Sequence, residues 1–286
     1  MCLLVVAWRA HPRYRLVVAA NRDEFHERPT APMTKWPAPN DILAGRDLRA
    51  NGTWLALDRH RRFGVVTNFR DLQKPQPEAP SRGALIPSYL GGEASAGDFL
   101  AELERRAEAY AGFNLLLADE GSFWYASNRV DPSSSNDSEA DPGAASTQWA
   151  APTRRVDGAF RRSLSPGVYG LSNQFLDTPW PKLRRVRRRF EAWLGEPDAS
   201  SEALFSMLED RTTVDTDEDL PRTGLSAEWE RILSAPFVLH PDYGTRCSTL
   251  LLLEPSGAFV LIERRFDAQG ALSGESRWAL GAGEWP

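Results

Sequence analysis

Short runs of apolar residues, separated by turn residues, recur along most of the chain. Residues 3–8 and 15–20 flank His11-Pro12-Arg13, a pattern that predicts a hairpin whose first strand begins at Cys2. The charged residues 21–29 follow and end in proline, which indicates a loop at the end of the second strand. Similar runs predict strands at residues 54–57, 63–67, 113–118, 122–126, 167–172, 248–253 and 258–264.

Three segments show apolar residues at helical spacing, and they predict helices at residues 95–110, 178–194 and 201–208. Many strands, few helices and no regular alternation between them predict an antiparallel α+β protein. Residues 131–147 contain Ser, Asp, Ala, Gly and Pro without an apolar period. They predict a mobile surface loop within one domain that covers residues 1–286.

Composition and charge narrow the function classes. The chain has 34 basic and 39 acidic residues, for a net charge of −5, which disfavours binding to a nucleic-acid backbone. Its two cysteines are too few for a disulfide framework, and its four histidines lack metal-ligand spacing, so we expect no metal and no cofactor. Without a signal peptide or an apolar run of ~20 residues, we expect a cytoplasmic protein with no integral membrane segment.

Residues 182–189 contain six basic side chains. Apolar residues recur at positions 183, 186, 190 and 193, so the basic residues fill the other face of one amphipathic helix. This pattern favours a solvated face over an anion-binding patch.

Cys2 is the first candidate for chemistry. A cysteine at this position can become the N-terminus once Met1 is removed, and it then carries a thiol beside an α-amine of pKa about 7.7–8. The amine can take the proton of the thiol, so one residue supplies nucleophile and base. The alternative is a small apolar residue at the start of a strand.

Polar residues at predicted strand ends are the candidate partners of Cys2. Arg22 and Asp23 follow the second strand, so a hairpin brings them near Cys2, where arginine lowers a thiol pKa and a carboxylate can hold an ammonium. Asn68 and Asn173 each end a predicted strand, and their amides can donate to an oxyanion. A charged turn, ordinary turn asparagines and, for Arg246, a surface arginine are the alternatives.

Several motifs together resemble the NRDE family of transport and Golgi organisation 2-like proteins. They run in order through nearly the whole chain. The matching segments are Met1-Cys2-Leu3, Asn21-Arg22-Asp23-Glu24-Phe25, Gly45-Arg46-Asp47, Gly52-Thr53-Trp54-Leu55, Thr67-Asn68-Phe69-Arg70, Ser81-Arg82-Gly83, Gly112-Phe113-Asn114-Leu115, Gly170-Leu171-Ser172-Asn173, Thr178-Pro179-Trp180-Pro181-Lys182 and Tyr243-Gly244-Thr245-Arg246-Cys247-Ser248-Thr249.

The order of these polar residues is also similar to that of cysteine N-terminal-nucleophile (Ntn) amidohydrolases of the penicillin V acylase and bile-salt hydrolase type. That similarity implies a four-layer αββα sandwich. It implies Cys2 as nucleophile, Asp23 as holder of the amine, and electrostatic or oxyanion roles for the four residues Arg22, Arg246, Asn68 and Asn173. We assign Asn21, Glu24 and Phe69 to substrate binding.

One feature departs from the hydrolase pattern. Arg22 and Asp23 are adjacent here, whereas two residues separate their counterparts in the hydrolases. Adjacent side chains of a strand point to opposite faces, so either the chain bends or Glu24 or Asn21 takes one of the roles.

Two functions follow from these resemblances. The first is hydrolysis of an amide or thioester of a small acyl substrate through an acyl-enzyme on Cys2. The second is a carrier without turnover for acyl-CoA or haem, in lipid metabolism, haem trafficking or secretory organisation. His26 and His240 are the candidate haem ligands, and the alternative for each is a histidine exposed in a loop. The sequence leaves the oligomeric state open.

Overall fold

The computed structural model describes residues 2–71, 78–129, 160–196 and 199–286. Two antiparallel sheets form the centre of this part of the chain. The loop predicted at residues 131–147 lies outside the described residues.

The first sheet contains the two strands of the predicted N-terminal hairpin. Its six strands are ordered β10-β1-β2-β11-β12-β13. Their bounds are β1 (Cys2–Trp8), β2 (Leu16–Phe25), β10 (Gly167–Leu171), β11 (Tyr243–Leu253), β12 (Phe259–Phe266) and β13 (Leu272–Leu280). Strands β1 and β2 are therefore central and carry neighbours on both edges.

The second sheet packs against the first and follows the chain order from β3 to β9. Its strands are β3 (Thr30–Lys35), β4 (Ile42–Asp47), β5 (Leu55–Asp58), β6 (Phe63–Asn68), β7 (Phe113–Ala118), β8 (Phe123–Ser127) and β9 (Arg161–Ser163). Leu4, Val6 and Trp8 of β1 join Leu57 and Phe63 of this sheet in one apolar cluster between the sheets.

Helices cover the two outer faces. Helices α1 (Leu85–Leu90) and α2 (Ala96–Glu104) pack on the second sheet, and α3 (Pro181–Leu194) and α4 (Ser201–Leu208) pack on the first. A short helix α5 (Ala227–Ile232) follows. The predicted four-layer αββα sandwich is confirmed by this arrangement. Within the described ranges, no helix combines the length and apolarity needed to cross a membrane.

Burial on both faces explains why the central strands read as continuous apolar runs. Leu3, Val5 and Ala7 alternate with the residues that face the second sheet, and they pack instead in the cluster that contains α3 and α4. Strands buried on both faces lose the alternation of apolar and polar residues that a half-exposed strand shows.

The segment at residues 21–25 differs from the prediction, because it continues β2 and does not form a loop. Pairing with β11 extends to Phe25, opposite Tyr243, so the backbone polar groups of this charged segment gain ladder partners. That pairing joins segments more than 200 residues apart, and no local signal predicts it.

Gly52 and Gly83 form a close backbone contact that attaches residues 81–83 to the turn before β5. The amide of Thr53 donates to the carbonyl of Gly83 at 3.0 Å. A Cβ on Gly52 would lie 2.4 Å from the carbonyl carbon of Gly83. Only glycine therefore fits this contact without displacing backbone.

We expect Gly52→Ala to lower the free energy of unfolding by about 1–3 kcal/mol, because the added methyl overlaps backbone that cannot rotate away. Urea unfolding measures this. Gly92→Ala is the matched control, since a Cβ there meets its nearest atom at an ordinary 3.5 Å. Equal unfolding free energies for Gly52→Ala and the control would contradict the packing account.

Candidate functional site

Cys2 begins β1, and its main-chain groups are held by the chain that follows β10. The nitrogen of Cys2 donates to Oδ1 of Asn173 at 3.2 Å. The hydroxyl of Ser172 donates to the carbonyl of Cys2 at 2.9 Å. The ends of β10 and β1 meet because the two strands pair in register from Leu4 opposite Leu171.

Both the oxygen and the nitrogen of the Asn173 side-chain amide form hydrogen bonds. Its Nδ2 donates to the carbonyl of Asn68 at 2.7 Å while its Oδ1 accepts from Cys2. These two contacts assign the amide orientation, because one neighbour is a donor and the other an acceptor. Asn173 therefore orients the nitrogen of Cys2 in this structure, and its donor is not directed at a substrate as the sequence suggested.

Asn68 remains a candidate donor. It ends β6, its residue is exposed, and its side-chain amide makes no hydrogen bond to the described residues. It borders a cavity of about 590 Å³ that Cys2 also borders.

Arg22 lies beside Cys2 on the face of the sheet that meets the second sheet. The two residues are opposite each other in the β1–β2 ladder, so their side chains share a face. The guanidinium stacks 4.3 Å from the ring centroid of Trp54 and lies 3.8 Å from Glu24 and 3.9 Å from Asp47. Arg22 is thus a buried cation fixed next to the thiol.

Burial raises the pKa of the Cys2 thiol above its ordinary value. The carboxylate of Asp23 acts in the same direction, whereas Arg22 and the backbone N–H of Asp23 lower the pKa. Arg22 thus acts in the direction expected from the sequence, but desolvation outweighs it. The pKa of the Cys247 thiol lies well above its ordinary value through burial and the neighbouring Glu263.

Asp23 faces the helices α3 and α4, on the side of the sheet opposite Arg22. Its Oδ1 accepts from the hydroxyl of Thr245 at 2.7 Å, and its residue is 1% exposed. Burial raises the pKa of this carboxyl, while the nearby Lys182 lowers it. The chain does not bend between Arg22 and Asp23, so their side chains take opposite faces as the alternation requires.

Lys182 is an exception to the predicted solvated face of its helix, on which Arg184, Arg188 and Arg189 are exposed. It lies in the first turn of α3, is 1% exposed, and its Nζ has no hydrogen-bond partner among the described residues. Burial lowers the pKa of Lys182 to about 8, against the opposing effect of Asp23. Nearby, Arg70 forms a buried ion pair of 2.8 Å with Glu230.

Two of the predicted site residues, Asn21 and Arg246, do not border the cavity beside Cys2. The side-chain amide of Asn21 donates to the carbonyls of Leu208 and Pro236 at 2.8 and 2.9 Å, and its Oδ1 accepts from Ser248 at 2.6 Å. Asn21 thus fixes α4 and β11 to β2 and does not face the 590 Å³ cavity, contrary to the substrate-binding assignment.

Arg246 is the extra residue of a bulge in β11 and does not border the cavity that Cys2 borders. Its Nη1 donates to the carbonyls of Phe25, His26 and Arg28 at 2.9 to 3.4 Å. Arg246 therefore holds the turn after β2, and the expected electrostatic contact with the thiol is absent from its described contacts.

Two cavities meet beside Cys2, and we name them by their linings. The polar cavity, of about 590 Å³, is bordered by Cys2, Arg22 and Asn68 among others. The apolar cavity, of about 360 Å³, is bordered by Phe69 and Asn173 among others. Glu24, Phe25 and Asn68 border both cavities. Of the residues assigned to substrate binding from the sequence, Glu24 borders both and Phe69 borders the apolar one.

The two histidines considered as haem ligands lie outside both linings. A ring nitrogen of His26 is 3.1 Å from the carbonyl of His240, and Nδ1 of His240 accepts from the amide of Asp242. Among the described residues, no group of three or more His, Cys, Asp or Glu is arranged to hold a metal ion.

Sequence reasoning missed Arg82 and Lys182, although a signal exists for each. Arg82 borders the polar cavity and donates to the carbonyl of Gly112 at 2.8 Å. It occurs in the Ser81-Arg82-Gly83 motif, which we matched to the family without assigning a role. Lys182 lies four residues before Val186, so helical phase places it on the apolar stripe of α3.

Residues 1–268 match the family model described as Transport and Golgi organisation 2. The chain belongs to this family, which confirms the resemblance read from the motifs. The Bos taurus Transport and Golgi organization protein 2 homolog is 30% identical over 285 residues, covering 92% of each chain. The Homo sapiens homolog is 29% identical with the same coverage, and the Drosophila melanogaster protein is 25% identical over 92% of this chain and 91% of its own.

Two solved structures show distant likeness. A Caenorhabditis elegans N-acylethanolamine-hydrolyzing acid amidase ortholog aligns with a TM-score of 0.44 at 12% identity, covering 89% of this chain and 93% of its own. The C2A mutant of conjugated bile acid hydrolase from Clostridium perfringens aligns with a TM-score of 0.41 at 9% identity, covering 98% and 92%. The fold assignment rests on the four layers described above and not on these alignments.

We expect iodoacetamide to label Cys2 slowly at pH 7 and increasingly fast towards pH 10, because only the thiolate reacts. In Arg22→Ala the rate curve should shift to higher pH, since the cation that lowers the thiol pKa is lost. Cys247 should stay unlabelled in the folded protein. Peptide mapping after timed labelling measures all three.

Arg49→Ala is the control for this experiment, because Arg49 borders the same cavity but pairs with Glu27 at 3.5 Å. Its curve should superimpose on that of the wild type. A curve for Arg22→Ala that also superimposes would contradict the electrostatic coupling of Arg22 to Cys2.

Lys182→Met tests the buried lysine through the pH dependence of stability. Between about pH 8 and 10.5 the unfolded chain binds a proton at Lys182 that the folded chain has lost, so wild-type stability gains from rising pH. The variant lacks this gain. We expect its stability relative to the wild type to fall by roughly 3 kcal/mol from pH 7 to pH 10.5.

Urea unfolding at several pH values measures the difference in unfolding free energy between the variant and the wild type. The contributions of the other titrating groups largely cancel in this difference. Lys35→Met, which removes an exposed lysine, is the control and should give a nearly constant difference. A constant difference for Lys182→Met would show that Lys182 does not titrate in this window.

Proposed function

We propose that this protein is a cysteine hydrolase of the N-terminal-nucleophile type that cleaves an amide or thioester of a small acyl substrate. The observation that supports it best is the hydrogen bond from the nitrogen of Cys2 to Asn173. Removal of Met1 would turn that nitrogen into an α-amine, already held beside the thiol and at the border of a cavity.

The raised pKa of the Cys2 thiol makes a base necessary, because little thiolate is present near pH 7. The α-amine takes the proton of the thiol, and the sulfur attacks the carbonyl carbon of the substrate. The tetrahedral intermediate then loses its C–N or C–S bond, and the α-ammonium returns the proton to the leaving group. The products of this half-reaction are a free amine or thiol and an acyl thioester on Cys2.

Water completes the cycle. The α-amine removes a proton from a water molecule, whose oxygen attacks the thioester carbonyl. The bond between the acyl carbon and Sγ of Cys2 breaks, the sulfur recovers its proton from the α-ammonium, and a carboxylic acid leaves.

Each neighbouring residue has a distinct part in this proposal. Arg22 stabilises the thiolate form, and Asn173 orients the α-amine. Asn68 offers the amide donor for the oxyanion, because its side chain is exposed at the cavity and makes no other hydrogen bond to the described residues. Asp23 acts from the helix side of the sheet, where its carboxylate favours the ammonium form of the amine. Lys182 lowers the pKa of Asp23 and so supports its ionised form.

One observation favours the second candidate, a carrier without turnover. Asp23 faces away from the side of the sheet that carries Arg22 and the thiol, so the charged groups do not converge on one face. Together with two adjoining cavities, this arrangement also suits a protein that binds an acyl ligand and does not cleave it. The haem version of the carrier lacks this support, because neither His26 nor His240 borders the polar or the apolar cavity.

Intact-mass analysis of protein incubated with octanoyl-4-nitroanilide, and separately with the octanoyl thioester of N-acetylcysteamine, tests the hydrolase. We expect loss of Met1 and one octanoyl adduct, present in wild type and Cys247→Ala and absent in Cys2→Ala. Asn68→Ala should slow acylation by about 10²–10³-fold, as expected for loss of one oxyanion donor.

A retained Met1 would contradict this mechanism, because the nitrogen of Cys2 then stays an amide. An adduct that survives in Cys2→Ala would place the acyl group on another residue. Binding of either probe without an adduct or product would favour the carrier.

A further inference from the structure

The two cavities beside Cys2 share a border but differ in lining. The apolar cavity is walled mainly by aromatic and aliphatic side chains, and half of these come from α5 and its flanks: Leu225, Trp229 and Leu233. Phe25 and Tyr243 contact each other edge to face at 5.1 Å, and Trp229 lies 6.2 Å from Tyr243. This wall offers apolar contact and few polar partners.

Arg70 and Asn173, two of the polar residues that border the apolar cavity, are already paired with protein groups. The guanidinium of Arg70 is bound to Glu230 at 2.8 Å and stacks 4.7 Å from the ring centroid of Trp180. Asn173 is bound to Cys2 and Asn68. An apolar group entering this cavity therefore leaves Arg70 and Asn173 paired, and the carbonyl next to it can accept from the amide of Asn68.

The polar cavity is lined by four arginines and four acidic residues, and three of the carboxylates pair with or lie near arginines other than Arg82. Asp47 pairs with Arg28 at 2.7 Å, Glu24 lies between Arg22 and Arg28, and Glu27 pairs with Arg49. Arg82 has no carboxylate within ion-pair distance among the described residues, and its one hydrogen bond there is to a neutral carbonyl. Burial lowers the pKa of Arg82, and the carboxylates of Asp71 and Glu24 oppose this from beyond ion-pair distance, so Arg82 keeps donors to bind an anion.

We propose that the apolar cavity holds the acyl group of the ligand and that the polar cavity, through Arg82, holds an anionic group on the other side of the scissile bond. The ligand class is an apolar acyl group joined to an amine or thiol that carries a carboxylate or phosphate. This inference deepens the proposed function and rests on the same site, but it concerns binding and can be tested without turnover.

The placement of the scissile carbonyl supports this direction of binding. Asn68 borders both cavities, and Cys2 borders the polar one while its nitrogen is held by Asn173 of the apolar one. A carbonyl at this border lies between the two linings. The reverse orientation would leave the anion in the apolar cavity, where burial of an unpaired charge is costly.

Calorimetric titration of the Cys2→Ala protein separates binding from chemistry. The probes are N-octanoylglycine, its neutral amide N-octanoylglycinamide, the short-chain N-butanoylglycine and the phosphate analogue N-octanoyl-O-phosphoethanolamine. We expect the anionic octanoyl probes to bind roughly tenfold more tightly than the neutral one, a difference of ~1.4 kcal/mol. The stronger of the carboxylate and phosphate probes identifies the anion.

Two pairs of further substitutions, each made in Cys2→Ala, test the two cavities. Arg82→Gln should remove the preference for the anionic probes and Arg82→Lys should keep most of it. Trp229→Ala and the space-filling Leu225→Trp should weaken all octanoyl probes about tenfold and leave N-butanoylglycine nearly unchanged. Arg105→Gln and Leu272→Ala, at exposed positions away from both cavities, are the controls.

The outcomes separate this inference from the proposed function. An anion preference that survives Arg82→Gln, equal effects of Trp229→Ala on long and short probes, or no binding of any probe would overturn it. Binding with this pattern, but neither an acyl adduct nor a hydrolysis product with the wild-type protein, would leave the two-cavity assignment standing and refute the hydrolase.

Discussion

The alternation of side chains along β2 is the constraint on which the site depends. This strand is buried on both faces, so each residue of the Asn21-Arg22-Asp23-Glu24 segment must point into one of two packed layers. Arg22 and Glu24 point between the sheets, and Asn21 and Asp23 point to the helices. A shift of the pairing by one residue would exchange these sets and put charge into both cores.

Burial sets the electrostatic character of the site. Cys2, Asp23 and Lys182 all have pKa values shifted towards their neutral forms, and desolvation is the largest cause for each. Neighbouring opposite charges reduce these shifts without cancelling them. Burial of this kind disfavours the thiolate, so a reaction there needs a base close to the sulfur.

The motif residues on the two faces of the first sheet have different roles. Arg22 and Glu24, between the sheets, border the polar cavity, while Asn21, on the helix side, fixes the sheet to α4. Asn21 and Arg246 belong to family motifs and yet bind main-chain carbonyls, which shows how a residue that looks catalytic in sequence can serve the architecture. Arg82 shows the opposite case, since it borders the polar cavity without having been singled out.

Local pattern determined much of the fold and part of the site. Apolar runs and turn residues predicted the hairpin that begins at Cys2 and the hairpin of β11 and β12, because both depend on neighbours in sequence. The family motifs led to the four-layer sandwich, and hairpin geometry alone indicated that Arg22 lies near Cys2. The helical phase of α3 predicted its buried stripe at positions 183, 186, 190 and 193.

Tertiary structure decided the rest. Pairing of β2 with β11 turned residues 21–25 from an expected loop into strand, and a bulge in β11 set Arg246 against the carbonyls of the turn after β2. The burial of Lys182 and the fixing of Asn173 between Cys2 and Asn68 depend on contacts across more than 100 residues. Such contacts are not encoded in any local window, because each requires two distant segments to pack before either side chain has its partner.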